Sequence, residues 1–235
     1  MLDAGMAAPI EVLRRVPLFA GLGPSELAAL AGLAQRRTFD ARDLIVQQAD
    51  EGGDLFVIIE GHVKVVSAGV DGRDSAINVM GPGEVFGEVS LLDGGPRSAT
   101  IVALDPCALL SIRREPFLRF LEGSPKASIE LLKVLSGLLR KLTERSDDVA
   151  FLRVGGRLAK RIASLAERFG ERRPDGSLRV RFKLSQQEIG ELVNATRESA
   201  NKQIKQWEDA GLLSQEGGHL IVHDLERLRS ESGEV

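Results

Sequence analysis

The chain has few of the residues that metal and redox centres require. Its 235 residues include one cysteine and three histidines, which excludes an intrachain disulfide and a four-cysteine iron-sulfur or zinc site. The histidines, His62, His219 and His223, show no ligand spacing. Cys107 lies in a short apolar run, which predicts a buried small hydrophobe rather than a reactive thiol. We predict no metal site, and redox or haem sensing is a weak alternative.

Long hydrophobic runs and catalytic motifs are also missing. No apolar stretch approaches the about 20 residues of a membrane-spanning helix, and residues 1–9 lack the basic and apolar segments of a secretory signal. There is no P-loop, no Ser/His/Asp order and no paired-carboxylate motif. We therefore expect a cytoplasmic protein with no membrane partner, no catalytic residues and no enzymatic activity.

Charge is distributed unevenly along a chain whose net charge is −3. The segment from Arg153 to Lys183 contains ten Lys or Arg residues and only three acidic residues. A local basic zone of this kind can meet phosphates even on an acidic protein. A solvated helix face is the alternative interpretation.

The most informative segment is Phe86–Thr100, which reads FGEVSLLDGGPRSAT. Arg97 offers a planar fork of donors suited to a phosphate, and the backbone amides of Ser98 and Ala99 can add to an anion nest. Glu88 can accept hydrogen bonds from ribose hydroxyls. The segment therefore indicates a site for a phosphate and a sugar, with an internal ion pair between Glu88 and Arg97 as the structural alternative.

Periodicity divides the chain into regions. Apolar positions at helical spacing from Ile10 to Leu33 predict short helices, with a helix start at Pro24. Short apolar runs cut by Gly, Asp and Pro between Thr38 and Ile112 predict an all-β roll. We predict domain boundaries that give residues 1–122 to the roll with its N-terminal helices, 123–152 to one long helix, and 153–235 to a C-terminal domain.

The long helix carries an apolar stripe at alternating spacings of three and four, typical of a two-stranded coiled coil. Its members are Leu131, Leu135, Leu138, Leu142, Val149 and Leu152. The stripe could pack on its own domain, but a helix of about 26 residues is roughly 39 Å long, more than a small roll covers. We therefore favour a homodimer. The segment 151–157 is predicted to break this helix and to act as a hinge, because two adjacent glycines, Gly155 and Gly156, disfavour a helix interior. A second helix is predicted from Leu158 to Phe169.

The C-terminal region contains the pattern of a helix-turn-helix. Ser185 and Glu188 form a capping box that starts one short helix, and Thr196 caps a second. The inner face of the second helix is predicted to be Ala200, Ile204 and Trp207. The first helix would brace the second in the major groove. The candidate DNA-binding residues are Ser185, Gln186, Thr196, Arg197, Glu198, Ser199, Asn201 and Lys202.

Three of these side chains are suited to base reading. Arg197 can bind guanine O6 and N7, Glu198 can accept from cytosine N4, and Lys202 can reach a guanine or a phosphate. A solvated charged face is the alternative. The segment Leu213–Val222, turning at Gly217-Gly218, is typical of a wing and favours DNA binding.

The segment Phe86–Thr100 resembles the phosphate-binding cassette of cyclic-nucleotide-binding domains, and residues 10–225 as a whole resemble the Crp/Fnr family of bacterial transcription regulators. The resemblance implies an α+β fold with an N-terminal jelly-roll-like cyclic-nucleotide-binding β-roll, a long dimerisation helix and a C-terminal winged helix-turn-helix domain. It implies a homodimer that binds palindromic DNA with TGTGA-like half-sites, and RNA polymerase as a further partner.

The resemblance also implies a ligand site, in which Gly87 and Glu88 hold the ribose and Arg97 and Ser98 hold the cyclic phosphate. The residues that we assign to it are Gly87, Glu88, Val89, Ser90, Arg97, Ser98, Ala99, Leu142 and Thr143. Leu142 and Thr143 occupy the helix positions that offer two hydroxyls to adenine in the best-known members, so one hydroxyl is gone. The hinge position that commonly holds Asp is Arg153 here.

Cyclic AMP is the predicted allosteric ligand, and no other cofactor is required. The same DNA-binding regulator could instead be ligand-independent, or gated by cyclic GMP or a cyclic dinucleotide. A nucleotide-sensing subunit of an enzyme complex is a third hypothesis, against which Arg197, Glu198 and Lys202 count.

Overall fold

The structure is a computed structural model that describes residues 4–68 and 74–233. Contacts divide the chain into a first unit, Met1–Ala68 with Val79–Lys141, and a second unit, Gly69–Asn78 with Leu142–Val235. The division falls inside the long helix predicted from the sequence, and the predicted domain boundaries at residues 122 and 152 stay predictions. In the described part of the chain no helix is long and apolar enough to cross a membrane.

The N-terminal part is a β-roll flanked by helices. The helices are α1 (Ala4–Arg15), a 3-10 turn (Pro17–Phe19), α2 (Pro24–Leu33), α3 (Glu88–Asp93), α4 (Arg114–Gly123) and α5 (Pro125–Phe151). The strands are β1 (Ala34–Phe39), β2 (Leu44–Val46), β3 (Leu55–Glu60), β4 (Val63–Ala68), β5 (Asp74–Met80), β6 (Val85–Phe86), β7 (Thr100–Ala103) and β8 (Cys107–Ile112). They form two four-stranded sheets, β1-β8-β3-β6 and β2-β7-β4-β5, which confirms the predicted roll.

Strand β3 lies between two hydrophobic clusters of the first unit. Successive side chains of a strand point to opposite faces. Leu55 and Val57 pack in a cluster with the helices, whereas Phe56 and Ile58 pack in a second cluster inside the roll. Both faces of the strand are buried for this reason, and Cys107 is buried in the second cluster as predicted.

The C-terminal part is a helical unit with a small sheet. Its helices are α6 (Val154–Phe169), α7 (Gln186–Glu191), α8 (Arg197–Asp209) and α9 (Leu225–Ser230). Its strands are β9 (Gly170–Arg172), β10 (Leu178–Val180), β11 (Leu213–Glu216) and β12 (His219–Val222), in the order β11-β12-β10-β9. The predicted hairpin is β11-β12, which turns at Gly217 and Gly218 with φ of 58° and 89°.

The break predicted for residues 151–157 is present, but the two adjacent glycines do not form it. Helix α5 ends at Phe151 and α6 begins at Val154, so Gly155 and Gly156 lie in the first turn of α6 rather than in the break. A Cβ at Gly155 would lie 2.9 Å from Gln203 Oε1, and one at Gly156 would lie 3.0 Å from the Ser232 carbonyl oxygen. These glycines therefore permit close packing of α6 on α8 and on the C-terminal segment.

Candidate ligand and nucleic-acid sites

Two glycines shape the backbone of the predicted phosphate site. Gly87 precedes α3 with φ 87°, and Gly94 follows it with φ 73°, both in the left-handed region that favours glycine. A Cβ at Gly87 would lie 2.5 Å from the Asp54 carbonyl oxygen and 2.8 Å from Arg97 Nη1. Glycine at position 87 therefore allows the Asp54 carbonyl and the Arg97 guanidinium to lie in close contact with the start of α3.

Arg97 is held in place from several directions. Only 8% of the residue is exposed. Its Nη1 donates hydrogen bonds to the Asp54 carbonyl oxygen and to Ser90 Oγ, each at 2.9 Å. Its backbone N–H donates to the Asp50 carbonyl, and its carbonyl accepts from the Ala49 N–H. The guanidinium is therefore positioned before any ligand binds.

The other side of this guanidinium keeps unused donors. Within residues 4–68 and 74–233, Nε and Nη2 of Arg97 donate no hydrogen bond. Nη2 lies beside Gly52, 3.3 Å from where a Cβ would stand. Burial lowers the pKa of Arg97 from its ordinary value, and the charges of Asp54 and Glu88 oppose that shift. A buried cation with unused donors is the arrangement that an incoming anion would complete.

Glu88 lies half-buried at the start of α3. Burial raises the pKa of its carboxyl, while its own backbone N–H and the charge of Arg97 act in the opposite direction. In the described part of the chain no ion pair joins Glu88 to Arg97. The internal ion pair considered as the structural alternative is therefore not formed, and both charges stay available to a ligand.

The remaining cassette residues differ in exposure. Val89 and Ser98 are exposed, Ala99 is half-buried and Ser90 is buried. The N–H groups of Ser98 and Ala99 donate to no backbone carbonyl of a described residue. This pair of amides is consistent with the predicted anion nest.

Helix α5 carries the other predicted ligand and interface residues. Leu142 and Thr143 have exposed side chains and belong to the second unit, so their contact with a ligand stays a prediction. Leu131 is buried in the core of the first unit, and its assignment to the dimer stripe stays a prediction. Leu135, Leu138 and Leu152 are half-buried.

A neighbouring stripe on α5 is exposed instead. Its large apolar members are Leu132, Leu139, Leu142 and Val149. Leu132 and Leu139 are seven positions apart, as are Leu142 and Val149, and three positions separate Leu139 from Leu142. These exposed residues include Leu142 and Val149 of the predicted stripe, and their contact with a second copy of the chain stays a prediction.

The helix-turn-helix begins with the capping box predicted from the sequence. The Ser185 side chain accepts a hydrogen bond from the Glu188 N–H, and the Glu188 carboxylate accepts one from the Ser185 N–H at 2.8 Å. The turn after α7 passes through Asn194 with φ 53°. A Cβ at Gly190 would lie 2.9 Å from the Ala195 carbonyl oxygen. Glycine at position 190 therefore lets the turn pack tightly on α7.

Helix α8 presents the predicted polar face. Thr196 caps it by accepting from the Ser199 N–H at 3.2 Å. Ala200, Ile204 and Trp207 are buried, as predicted. Exposed side chains cover the start of its outer face: Arg197, Glu198, Ser199, Asn201 and Lys202. The helix thus carries side chains suited to base edges on a face that the unit leaves open.

One predicted DNA-binding residue has a partner inside the unit. The half-buried Gln186 donates from Nε2 to Gln215 Oε1 on β11. This hydrogen bond ties the start of α7 to the wing strand, a contact that residue spacing did not reveal. A contact of Gln186 with DNA stays a prediction.

The basic zone is partly used to stabilise the fold. Lys160 pairs with Asp148 at 2.9 Å, and Arg157 donates to the carbonyl oxygens of Val193 and Leu152. Arg153, Arg172, Arg181 and Lys183 are exposed. Exposure leaves these four side chains on the surface, and their contact with DNA phosphates stays a prediction.

Replacing Gly190 with alanine is expected to destabilise the second unit by about 1–3 kcal/mol, because the new methyl group would overlap a backbone carbonyl that cannot rotate away. Trp207, the single tryptophan, is buried in this unit and reports its unfolding by fluorescence in urea. Gln187→Ala, an exposed change in the same helix, should stay within about 0.5 kcal/mol of wild type. Equal stability of the two variants would contradict the packing argument.

The fold and the two sites define a class of protein: a DNA-binding protein that carries a ligand-binding β-roll. Residues 36–124 match the family described as cyclic nucleotide-binding domain. Residues 156–231 match the family described as Crp-like helix-turn-helix domain.

Curated relatives agree over nearly the whole chain. The CRP-like cAMP-activated global transcriptional regulator of Mycobacterium tuberculosis is 35% identical, over 93% of this chain and 97% of that protein. The cyclic AMP receptor protein of Thermus thermophilus is 28% identical, over 88% of this chain and 93% of that protein. The chain belongs to the Crp/Fnr family of transcription regulators, with a cyclic nucleotide-binding domain and a DNA-binding domain; its relatives are regulators rather than enzymes.

Solved structures share the fold. The c-di-GMP responsive regulator CLP of Xanthomonas campestris has a TM-score of 0.73 at 23% identity, covering 86% of this chain and 99% of that one. FixK2 of Bradyrhizobium japonicum has a TM-score of 0.73 at 18% identity, covering 86% and 98%.

Proposed function

We propose that the protein is a homodimeric, sequence-specific transcription regulator whose DNA affinity is controlled by cyclic AMP bound in the β-roll. The observation that carries this proposal is Arg97, a buried and positioned guanidinium that lies over the Phe56 ring and whose Nε and Nη2 donate no hydrogen bond to any described residue. Relatives at 35% and 28% identity named as cyclic-AMP-dependent regulators support the choice of ligand.

In this proposal each cassette group recognises one part of the nucleotide. Arg97 and the amides of Ser98 and Ala99 hold the cyclic phosphate, because a guanidinium fork and free N–H groups both favour an anion. Glu88 accepts hydrogen bonds from the ribose. Thr143 supplies one hydroxyl to the base, and Leu142 supplies apolar contact.

Control of DNA binding follows from a difference in affinity between two arrangements of the protein. A nucleotide that binds the DNA-competent arrangement more tightly raises its population. Arg197, Glu198 and Lys202 of that arrangement read a TGTGA-like half-site in the major groove. Arg153, where Asp is common, sets how strongly nucleotide and DNA binding are coupled, and RNA polymerase is the expected partner at the promoter.

A second candidate ligand is cyclic GMP or a cyclic dinucleotide. The apolar Leu142 favours this alternative, since it cannot form the second hydrogen bond that would select adenine. Calorimetric titration with cyclic AMP, cyclic GMP and cyclic di-GMP tests the choice. We expect the tightest binding for cyclic AMP. Tighter binding of either other nucleotide would overturn the ligand assignment, and no binding of any would overturn control by a nucleotide.

The homodimer rests on the exposed stripe of α5, in which Leu139 is 67% exposed. Leu139→Glu should raise the dissociation constant of the dimer by about a hundredfold or more, because each copy would bury an unpaired carboxylate. Sedimentation velocity over a concentration series measures this. Glu144→Lys, on the polar side of the helix, is the control and should leave the dimer intact. A wild-type monomer, or a dimer unaffected by Leu139→Glu, would contradict the proposed interface.

A further inference from the structure

Arg114, the first residue of α4, contacts the C-terminal end of α3, the helix inside the segment Phe86–Thr100. Its Nε donates a hydrogen bond to the Leu91 carbonyl oxygen at 2.7 Å. The last carbonyls of a helix lack partners within it, and a cation near that end is favoured by the helix dipole. Arg114 therefore holds the C-terminal end of α3.

The same side chain also packs against the loop that precedes β3. A Cβ at Gly53 would lie 2.7 Å from Arg114 Cδ and 3.0 Å from its Cβ. A Cβ at Gly94 would lie 3.3 Å from Arg114 Nη2. The side chain therefore runs between two glycines, one on each side of the cassette, and any larger residue at Gly53 would displace it.

The loop before β3 and helix α3 are also the two segments that hold Arg97. The loop supplies the Asp54 carbonyl oxygen and α3 supplies Ser90 Oγ, and both accept hydrogen bonds from Arg97 Nη1. Arg114 joins the loop to α3, and among the described residues it forms no hydrogen bond with Arg97 itself. Loss of Arg114 would let the two acceptors of Arg97 move apart.

We propose that Arg114 is a positioning residue of the nucleotide site, which keeps the loop at Gly53 and the helix α3 in the arrangement that aims Arg97 at the phosphate. Arg114 touches no ligand in this account. The inference rests on the proposed function, since the ligand is the cyclic nucleotide. A site positioned in advance binds more tightly because less ordering is required on binding.

The test compares Arg114→Met with Arg119→Met, a matched change at an exposed arginine of the same helix. Calorimetry is carried out with cyclic AMP well below the melting temperature. The dissociation constant should rise about tenfold or more for Arg114→Met and stay at the wild-type value for Arg119→Met. Arg114→Lys, which keeps one donor for the Leu91 carbonyl, should recover part of the affinity. A role in stability alone would lower the melting temperature and leave the dissociation constant of the folded protein unchanged, which would overturn the proposal.

A second arm needs no ligand. Hydrogen-deuterium exchange of the free protein should be faster in Arg114→Met across peptides covering residues 50–56 and 87–97, and unchanged there in Arg119→Met. If Arg114→Met exchanged at the wild-type rate in both peptides, the proposal would be overturned, whichever nucleotide the protein binds. Failure of the wild-type protein to bind any cyclic nucleotide, with faster exchange in Arg114→Met, would instead contradict the proposed function.

Discussion

Arg97→Ala is expected to weaken cyclic AMP binding by about thirtyfold to several thousandfold, because truncating one partner of a buried, hydrogen-bonded charge pair costs about 2–5 kcal/mol. The guanidinium is positioned by Asp54 and Ser90 and presents Nε and Nη2 to the site. No other cation in the predicted ligand set replaces it. Calorimetric titration measures the loss.

The variant must remain folded for this result to count. Arg97 Nη1 satisfies two acceptors, so Arg97→Lys provides a second variant that keeps the positive charge but loses the fork that binds two oxygens. We expect an affinity between those of wild type and Arg97→Ala. Arg119→Ala, which removes an exposed arginine of the same unit, should bind like wild type. Unchanged affinity in a folded Arg97→Ala variant would refute the phosphate assignment.

The second large effect is expected at the DNA-reading helix. Arg197→Ala should reduce discrimination at one guanine of the half-site by about 1–3 kcal/mol, about 5- to 150-fold, because a bidentate contact to O6 and N7 distinguishes guanine from the other bases. Fluorescence anisotropy with a TGTGA duplex and with duplexes changed at each guanine measures the ratio. The affinity for a duplex that already lacks this guanine should change much less on Arg197→Ala than the affinity for the TGTGA duplex.

The control for Arg197 is Lys205→Ala, which removes the same charge from an exposed position about two turns further along α8. It should alter binding to all duplexes by the same factor or not at all. An equal loss on every duplex for Arg197→Ala would assign that residue to the phosphate backbone.

Local signals predicted the parts of the fold that depend on neighbours in the sequence. The capping box of Ser185 and Glu188 spans three residues, and the cap at Thr196 acts within one turn. The turn at Gly217-Gly218 needs positive φ, which glycine adopts without strain. Such features depend on a few consecutive residues, so spacing and residue type are enough to predict them.

The contacts that position the ligand site are long-range and were missed. Asp54 meets Arg97 across 43 positions, and Arg114 meets Leu91 across 23. The only sequence signal near Asp54 is the Gly52-Gly53 pair, which indicates a turn and says nothing about its partner. Tertiary packing alone brings these segments together.

Spacing alone did not distinguish two neighbouring apolar stripes on α5. Spacings of three and four describe a stripe through Leu131 and Leu138 as well as one through Leu132 and Leu139, because neighbouring positions are about 100° apart on a helix. Burial of Leu131 by the first unit distinguishes them. The break was predicted within the segment 151–157, but the place of Gly155 and Gly156 inside α6 was not, since low helix propensity and close packing both select glycine.

The central claim is that a nucleotide in the β-roll changes the affinity of the second unit for DNA. The most direct test is fluorescence anisotropy of a labelled palindromic duplex with TGTGA half-sites, titrated with the full-length protein with and without saturating cyclic AMP. We predict that cyclic AMP raises DNA affinity by about 5- to 150-fold, the usual range of coupling between two sites, and that Arg97→Ala loses this response. Equal DNA affinity of the wild-type protein with and without the nucleotide would contradict the account.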